Sequence, residues 1–262
     1  MSDTPDPQPR EPSKRPNNLV GLGLLVLFAA LGAALTRELP PGAPIMFGFV
    51  LVGWILAVMA HEFAHAAVAY LGGDWTVRAK GYLAFDPRRY GDLGTSLVIP
   101  VIALALGGIG FPGGAVYLRN DLIRSPAWRA AASLAGPAAT LVVLLAIALA
   151  LALWSRAALP NDLFAGLAML GFLQATALLL NLLPVPGLDG FNALVPFLPR
   201  RLARRAAKYE GLALILLLAA LLLVPGVGGQ LFGAAADLAR GLGVPGEAIL
   251  RGWQDFHFWR IP

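Results

Sequence analysis

Six apolar stretches, at about 19–35, 45–71, 95–116, 130–153, 163–186 and 211–228, each approach the ~20 residues a helix needs to cross a bilayer. Nothing between them is long enough for a soluble domain, so the chain is expected to be an all-α polytopic membrane protein. The composition agrees: 58% of the residues are hydrophobic and 13% are charged, against roughly 25% charged in an average soluble domain. A soluble globular enzyme is thereby excluded. The formal charge of +5, in so apolar a chain, suits cytoplasmic membrane loops better than a nucleic-acid surface, and no nucleic-acid partner is expected. There are no cysteines, so thiolate metal sites and cysteine nucleophiles are excluded, and any metal must be held by His, Asp or Glu.

Charge placement sets the expected topology, because cytoplasmic loops carry the excess of Lys and Arg. If all six stretches cross, the loops divide 8 basic residues against 9, which is no bias. If 95–116 instead dips in and returns to the same face, the division becomes 15 inside and 2 outside. That stretch contains Pro100, Gly107, Gly108, Gly110, Pro112, Gly113 and Gly114, and non-helical backbone at membrane depth is tolerated where protein or water covers it. About five transmembrane helices plus one re-entrant (or sixth) helix follow, with the N-terminus cytoplasmic.

Residues 1–18, with five prolines and six mutually cancelling charges, read as a disordered cytoplasmic tail. Residues 19–35 are too long for a typical signal-peptide core and lack a basic lead-in, so they read as a retained span. The domain then runs over 19–229. Residues 230–262, ending in Trp253, Phe256, Phe258 and Trp259, read as an interfacial tail.

The second stretch contains His61, Glu62, Phe63, Ala64 and His65, an H-E-x-x-H pattern on an apolar helix. Four residues of separation put both imidazoles on one helical face, within reach of one zinc ion, with Glu62 beside them as general base. The chain has three histidines, and two are here. Ionisable side chains at membrane depth cost a few kcal/mol each and are functional by default. The structural alternative is a pair of interhelical hydrogen-bonding histidines with Glu62 as counter-charge.

A third ligand must come from another helix, and the best acidic candidate is Asp189, in the run Asn181-Leu-Leu-Pro184-Val-Pro186-Gly187-Leu188-Asp189-Gly190. Its prolines and glycines unwind the helix end and free backbone to turn a carboxylate inward. The same run also suits a plain turn Asp. The re-entrant topology favours the ligand, because it brings His61, His65 and Asp189 to the same cytoplasmic half. Three protein ligands and one open position form a catalytic zinc site, with one Zn²⁺ per chain, whose acidified water and polarised carbonyl suit peptide hydrolysis.

With both motifs in place, the chain resembles the site-2 protease family of intramembrane zinc metalloproteases. The resemblance runs from about Phe47 to Pro199 and rests on HEFAH, Gly72-Gly73-Asp74, Ala135-Gly136-Pro137 and NLLPVPGLDG. It implies His61, His65 and Asp189 as zinc ligands and Glu62 as the catalytic glutamate. It also implies cleavage of transmembrane or membrane-adjacent segments of membrane proteins, often in regulated signalling. The chain looks like the compact bacterial type, which implies the inner membrane of a bacterial cell.

One departure stands out: the family commonly carries Asn three residues after the proline of Ala135-Gly136-Pro137, and here that position is Thr140. Thr140 still offers a hydrogen bond, and Asn181 is a second candidate for holding substrate or the oxyanion. The segment Trp75–Asp92, with Val77, Tyr82, Leu83 and Phe85 between basic residues, is expected to form a short β-hairpin beside the site, as in the family. The competing functions are a metal transporter and a catalytically weak metal-binding membrane protein. A transporter needs ionisable groups along a path through the membrane, which the outer halves of these spans lack.

Overall fold

A computed structural model describes residues 18–37, 42–90, 116–157 and 161–257. Within them the chain is helical, with no strand. Helix α1 is Leu19–Thr36, α2 is Gly42–Gly72 and α3 is the single turn Thr76–Ala79; α4 is Pro126–Ala157 and α5 is Asp162–Asn181. Short α6, Asp189–Leu194, is followed by α7, Arg200–Lys208, α8, Glu210–Leu223, α9, Val227–Gly241, and α10, Gly246–Phe256. The tail before Asn18 and all of the 95–116 stretch except Val116 lie outside the described residues.

Four helices, α1, α2, α4 and α5, are long and apolar enough to cross a membrane. The stretch expected as a fifth span yields α8, whose 14 residues extend about 21 Å, short of a ~30 Å hydrocarbon core. It follows α7 at a 60° bend, and the two together make a fifth candidate.

α5 is the hub. It is buried along nearly its whole length, from Phe164 to Asn181, and packs against α2, α4, α9 and α10. Lipid is as apolar as leucine, so close packing rather than water exclusion must hold such helices together, and small residues permit it. Gly166 faces Met46 and Phe49 of α2, and Gly252 of α10 lies against the Ala165 carbonyl. By contrast α4 exposes Leu141, Val142, Leu145, Leu149 and Leu153 while burying Leu144, Ala148 and Leu151, apolar on both faces as a lipid-facing helix must be.

The boundary expected after residue 229 falls inside α9. Residues 227–256 form two helices that contribute Ala235, Ala239, Ile249 and Phe256 to the same core as Phe49, Leu170 and Leu173. Arg251 of α10 also pairs with Asp162 at the start of α5.

The hairpin expected over Trp75–Asp92 does not form in its described part, which is α3, a series of turns and a 3₁₀ turn at Pro87–Arg89. Local capping wins over pairing. Asp74 Oδ1 accepts from Thr76 N at 3.1 Å and from Thr76 Oγ1 at 2.6 Å, while Asp86 Oδ1 accepts from Arg88 N at 3.1 Å. Such Asp-led turns consume the backbone donors a strand ladder would need.

The two sides of the undescribed 91–115 segment meet. Arg124 N donates to Gly72 O at 2.9 Å and Arg119 N donates to Asp74 Oδ2 at 2.7 Å. The C-terminal end of α2 and the approach to α4 are therefore adjacent. The start of α1 lies at the same end, where Asn18 Oδ1 accepts from Phe85 N at 2.9 Å.

Candidate metal centre

α2 presents His61 and His65 one turn apart, with the rings edge-to-face at a centroid distance of 4.7 Å. α4 crosses α2 at Gly136, where a β-carbon would collide with the Nε2 atoms of both histidines. A residue without a side chain is thus what lets α4 approach closely enough to bond to the rings. His65 Nδ1 lies 2.7 Å from the Ala132 carbonyl, which can only accept, so Nδ1 carries the proton and Nε2 presents a lone pair. His61 Nδ1 lies 2.9 Å from Thr140 Oγ1, one turn beyond Gly136. With Nδ1–H as the donor there, its Nε2 is likewise a free ligand atom.

Asp189 arrives from the far side. α5 ends at Asn181 because Pro184 and Pro186 cannot continue it. Gly187 then takes a φ of +97°, and Leu188 is buried at the N-cap of α6. This turn brings Asp189 Oδ2 to 3.1 Å from His61 Nε2 and Oδ1 to 3.4 Å from His65 Nε2. The two Nε2 atoms are 3.0 Å apart.

Asp189 turns a different oxygen to each imidazole, and one ligand atom from each of the three residues lies within 4.8 Å of the other two, close to the edge of a zinc tetrahedron, about 3.3 Å for bonds of about 2.0–2.1 Å. Two imidazole lone pairs and a carboxylate converging so closely repel one another, and either a proton or a bound metal cation relieves that repulsion. The donor set therefore fits zinc, and no other group of three or more His, Cys, Asp or Glu residues with this geometry occurs among the described residues.

Glu62 is buried and faces two spaces. One is a cleft of about 710 Å³ that it shares with His65, Asp189, Ser133 and Asn192. The other is a cavity of about 20 Å³ shared with His61, Thr140, Asn181, Trp54 and Gln174, large enough for about one water molecule. Both Thr140 and Asn181 thus come to the centre. Thr140 touches His61 directly, while Asn181 borders the small cavity. His257 is remote from it and sits with Trp253 at the end of α10.

Sequence reasoning did not find the Ala132 carbonyl, Trp54 or Gln174. A backbone carbonyl carries no residue-type signal, and a Gln or Trp on a buried helix face signals nothing until its neighbours are known.

The fold and this centre define a membrane-embedded metallohydrolase. The chain is 41% identical over 258 residues to Rip2 of Mycobacterium tuberculosis, which carries the name of a zinc metalloprotease, covering 95% of this chain and 96% of that protein. It is 40% identical over 215 residues to Rip2 of Mycolicibacterium smegmatis, with 82% of each chain covered. YwhC of Bacillus subtilis, also named as a zinc metalloprotease, is 27% identical over 177 residues, 65% of this chain and 78% of YwhC. No protein-family model and no solved structure matches the chain. The chain belongs to the site-2 protease family of intramembrane zinc metalloproteases.

Proposed function

We propose that this protein hydrolyses peptide bonds in or near transmembrane segments of membrane proteins, with His61, His65 and Asp189 as the zinc ligands and Glu62 as general base. The observation that carries this reading is the convergence of three ligand atoms beside a buried glutamate that faces an open cleft. Zinc, when bound, supplies Lewis acidity toward water and the scissile carbonyl. Glu62 accepts the proton of the attacking water and returns it to the leaving amine. Thr140 and the Ala132 carbonyl hold the two imidazoles in one tautomer and orientation, which sharpens the ligand geometry. Asn181, which borders the cavity next to Glu62, is suited to donate a hydrogen bond to the developing oxyanion. A substrate helix must unwind locally before its carbonyl is open to attack, because intact helical backbone satisfies its own carbonyls.

The reading extends to topology. Asn18, Gly72, Asp74, Arg119 and Arg124 are linked at one end of the bundle, which supports a 95–116 segment that returns to the face it left. On that arrangement the chain makes five crossings, counting α7 with α8 as one, and its N-terminus is cytoplasmic in a bacterial inner membrane.

The deciding experiment compares purified, zinc-loaded wild type with Glu62→Gln on a panel of co-expressed single-span proteins. Glu62→Gln is expected to keep one zinc per chain and to lose about 10²- to 10⁴-fold in turnover, as for removal of a general acid or base. A panel on which wild type cuts nothing that the variant spares would overturn the protease reading.

A further inference from the structure

Three arginines lie on the approach to α4 and within its first turn, and two have evident structural partners. Arg119 pairs with Asp121 at 2.7 Å. Arg124 caps the end of α2 by donating to Gly72 O at 3.2 Å and to Leu71 O, where a cation is favoured by the helix dipole. Arg129 differs on both counts. It occupies the first turn of α4, where the dipole disfavours a cation. Its Nε is buried and has no hydrogen-bond acceptor among the described residues, a state that costs more for a charged group than for a neutral one.

Arg129 lines the same cleft as Glu62, His65 and Asp189. It stands one turn before Ala132, whose carbonyl holds His65, about 4.5 Å along the helix axis. Arg200, at the start of α7, lines the cleft as well. Among the described residues, Glu62 and Asp189 are engaged at the metal centre, Asp121 is paired with Arg119, and Glu210, which lines the same cleft, makes no hydrogen bond to Arg129 Nε, so that edge of the guanidinium is open to an acceptor on a molecule bound in the cleft. A guanidinium is matched best by a carboxylate, which accepts two parallel N–H bonds.

Resting on the protease reading, we propose that Arg129 is a specificity-determining residue of the cleft, which selects substrates bearing an Asp or Glu side chain close to the cleaved segment. The selection has a physical use. Membrane proteins in general carry Lys and Arg at their cytoplasmic span ends, and Arg129 and Arg200, set against Glu210 as the one described lining carboxylate outside the metal centre, repel those flanks. An acidic flank therefore separates a substrate from the bulk of neighbouring spans, by repulsion of the others as much as by attraction of the one.

The test uses the full-length, zinc-loaded protein and a single-span fluorescent reporter carrying Glu, Gln or Lys at one flank position at a time. Wild type is expected to cleave the Glu reporter about tenfold or more faster in kcat/KM than the Lys reporter at one or more positions, with the difference in KM. Arg129→Glu should invert that order, Arg129→Gln should flatten it and Arg129→Lys should keep it, all with zinc content unchanged. If Arg129→Glu does not fold, the flattening in Arg129→Gln decides the matter. The same order in Arg129→Glu or Arg129→Gln as in wild type, or an equal loss on all three reporters, overturns the assignment. Reporter binding to zinc-loaded Glu62→Gln, with and without Arg129→Glu, separates the two readings. If nothing is cleaved but the Kd follows flank charge and inverts with Arg129→Glu, hydrolysis fails and the Arg129 assignment stands. If the Kd ignores flank charge, the Arg129 assignment fails.

Discussion

His61 Nε2 and Asp189 Oδ2 lie 3.1 Å apart across 128 positions of sequence, and the unwound turn after α5 is what closes that gap. Asp189→Ala removes one corner of the ligand triangle, and the remaining pair of histidines makes an incomplete zinc site. Metal analysis of the purified variant is expected to show zinc well below one per chain. Full retention would mean that another group supplies the third ligand.

Gly136 is where α4 touches both histidines. A β-carbon there overlaps both Nε2 atoms, and overpacking of this kind costs about 1–3 kcal/mol. Because the overlap falls on the ligand atoms themselves, Gly136→Ala should lose zinc and activity together. Gly233, which has open space around it, is the matched control: Gly233→Ala should leave zinc content unchanged.

Thr140 stands where the family commonly has Asn, and its hydroxyl is 2.9 Å from His61 Nδ1. Loss of such an outer hydrogen bond typically costs 10- to 100-fold in metal affinity or activity. Thr140→Ala should fall in that range, while Thr140→Ser, which keeps the hydroxyl, should stay near wild type. Zinc titration against a competing chelator measures both. Equal affinity in Thr140→Ala and wild type would show that His61 is oriented by its packing alone.

The 95–116 segment should begin and end on one face. The chain has no cysteine, so single cysteines at the exposed positions Arg78 and Asn120 report sidedness cleanly. An impermeant thiol reagent added to one side of sealed vesicles should label both or neither. Labelling of one from each side would require the segment to cross.

The retention of 227–256 as part of the membrane body is checked at Gly252, whose α-carbon packs against Ala165 of α5. Gly252→Val should detach α10 and open the C-terminal region to limited proteolysis, while the same change at exposed Gly229 should not.

Much of this protein is written locally. Apolar runs near bilayer length become α1, α2, α4 and α5 because lipid leaves the backbone no partner but its own helix. His61 and His65 share a face because a helix returns to the same side every 3.6 residues, and Glu62 is adjacent by sequence. Those relations need no knowledge of the rest of the chain. The hairpin expected over Trp75–Asp92 is absent among the described residues for the opposite reason. The apolar residues Val77, Tyr82, Leu83 and Phe85 do not set the backbone there; Asp74 does, because its carboxylate caps Thr76 and also takes the amide of Arg119 from a distant segment. Likewise 230–262 reads as an interfacial tail in one dimension, while in its described part Ala235, Ala239, Ile249 and Phe256 pack in the core beside α5. Asp189 could be named as a candidate from its prolines and glycines, but its reach to His61, the closeness allowed by Gly136, the tautomers set by Ala132 and Thr140, and the unpartnered Nε of Arg129 depend on how α2, α4 and α5 pack. Periodicity and residue type act over one or two helical turns, whereas a three-ligand centre is a property of helices brought together.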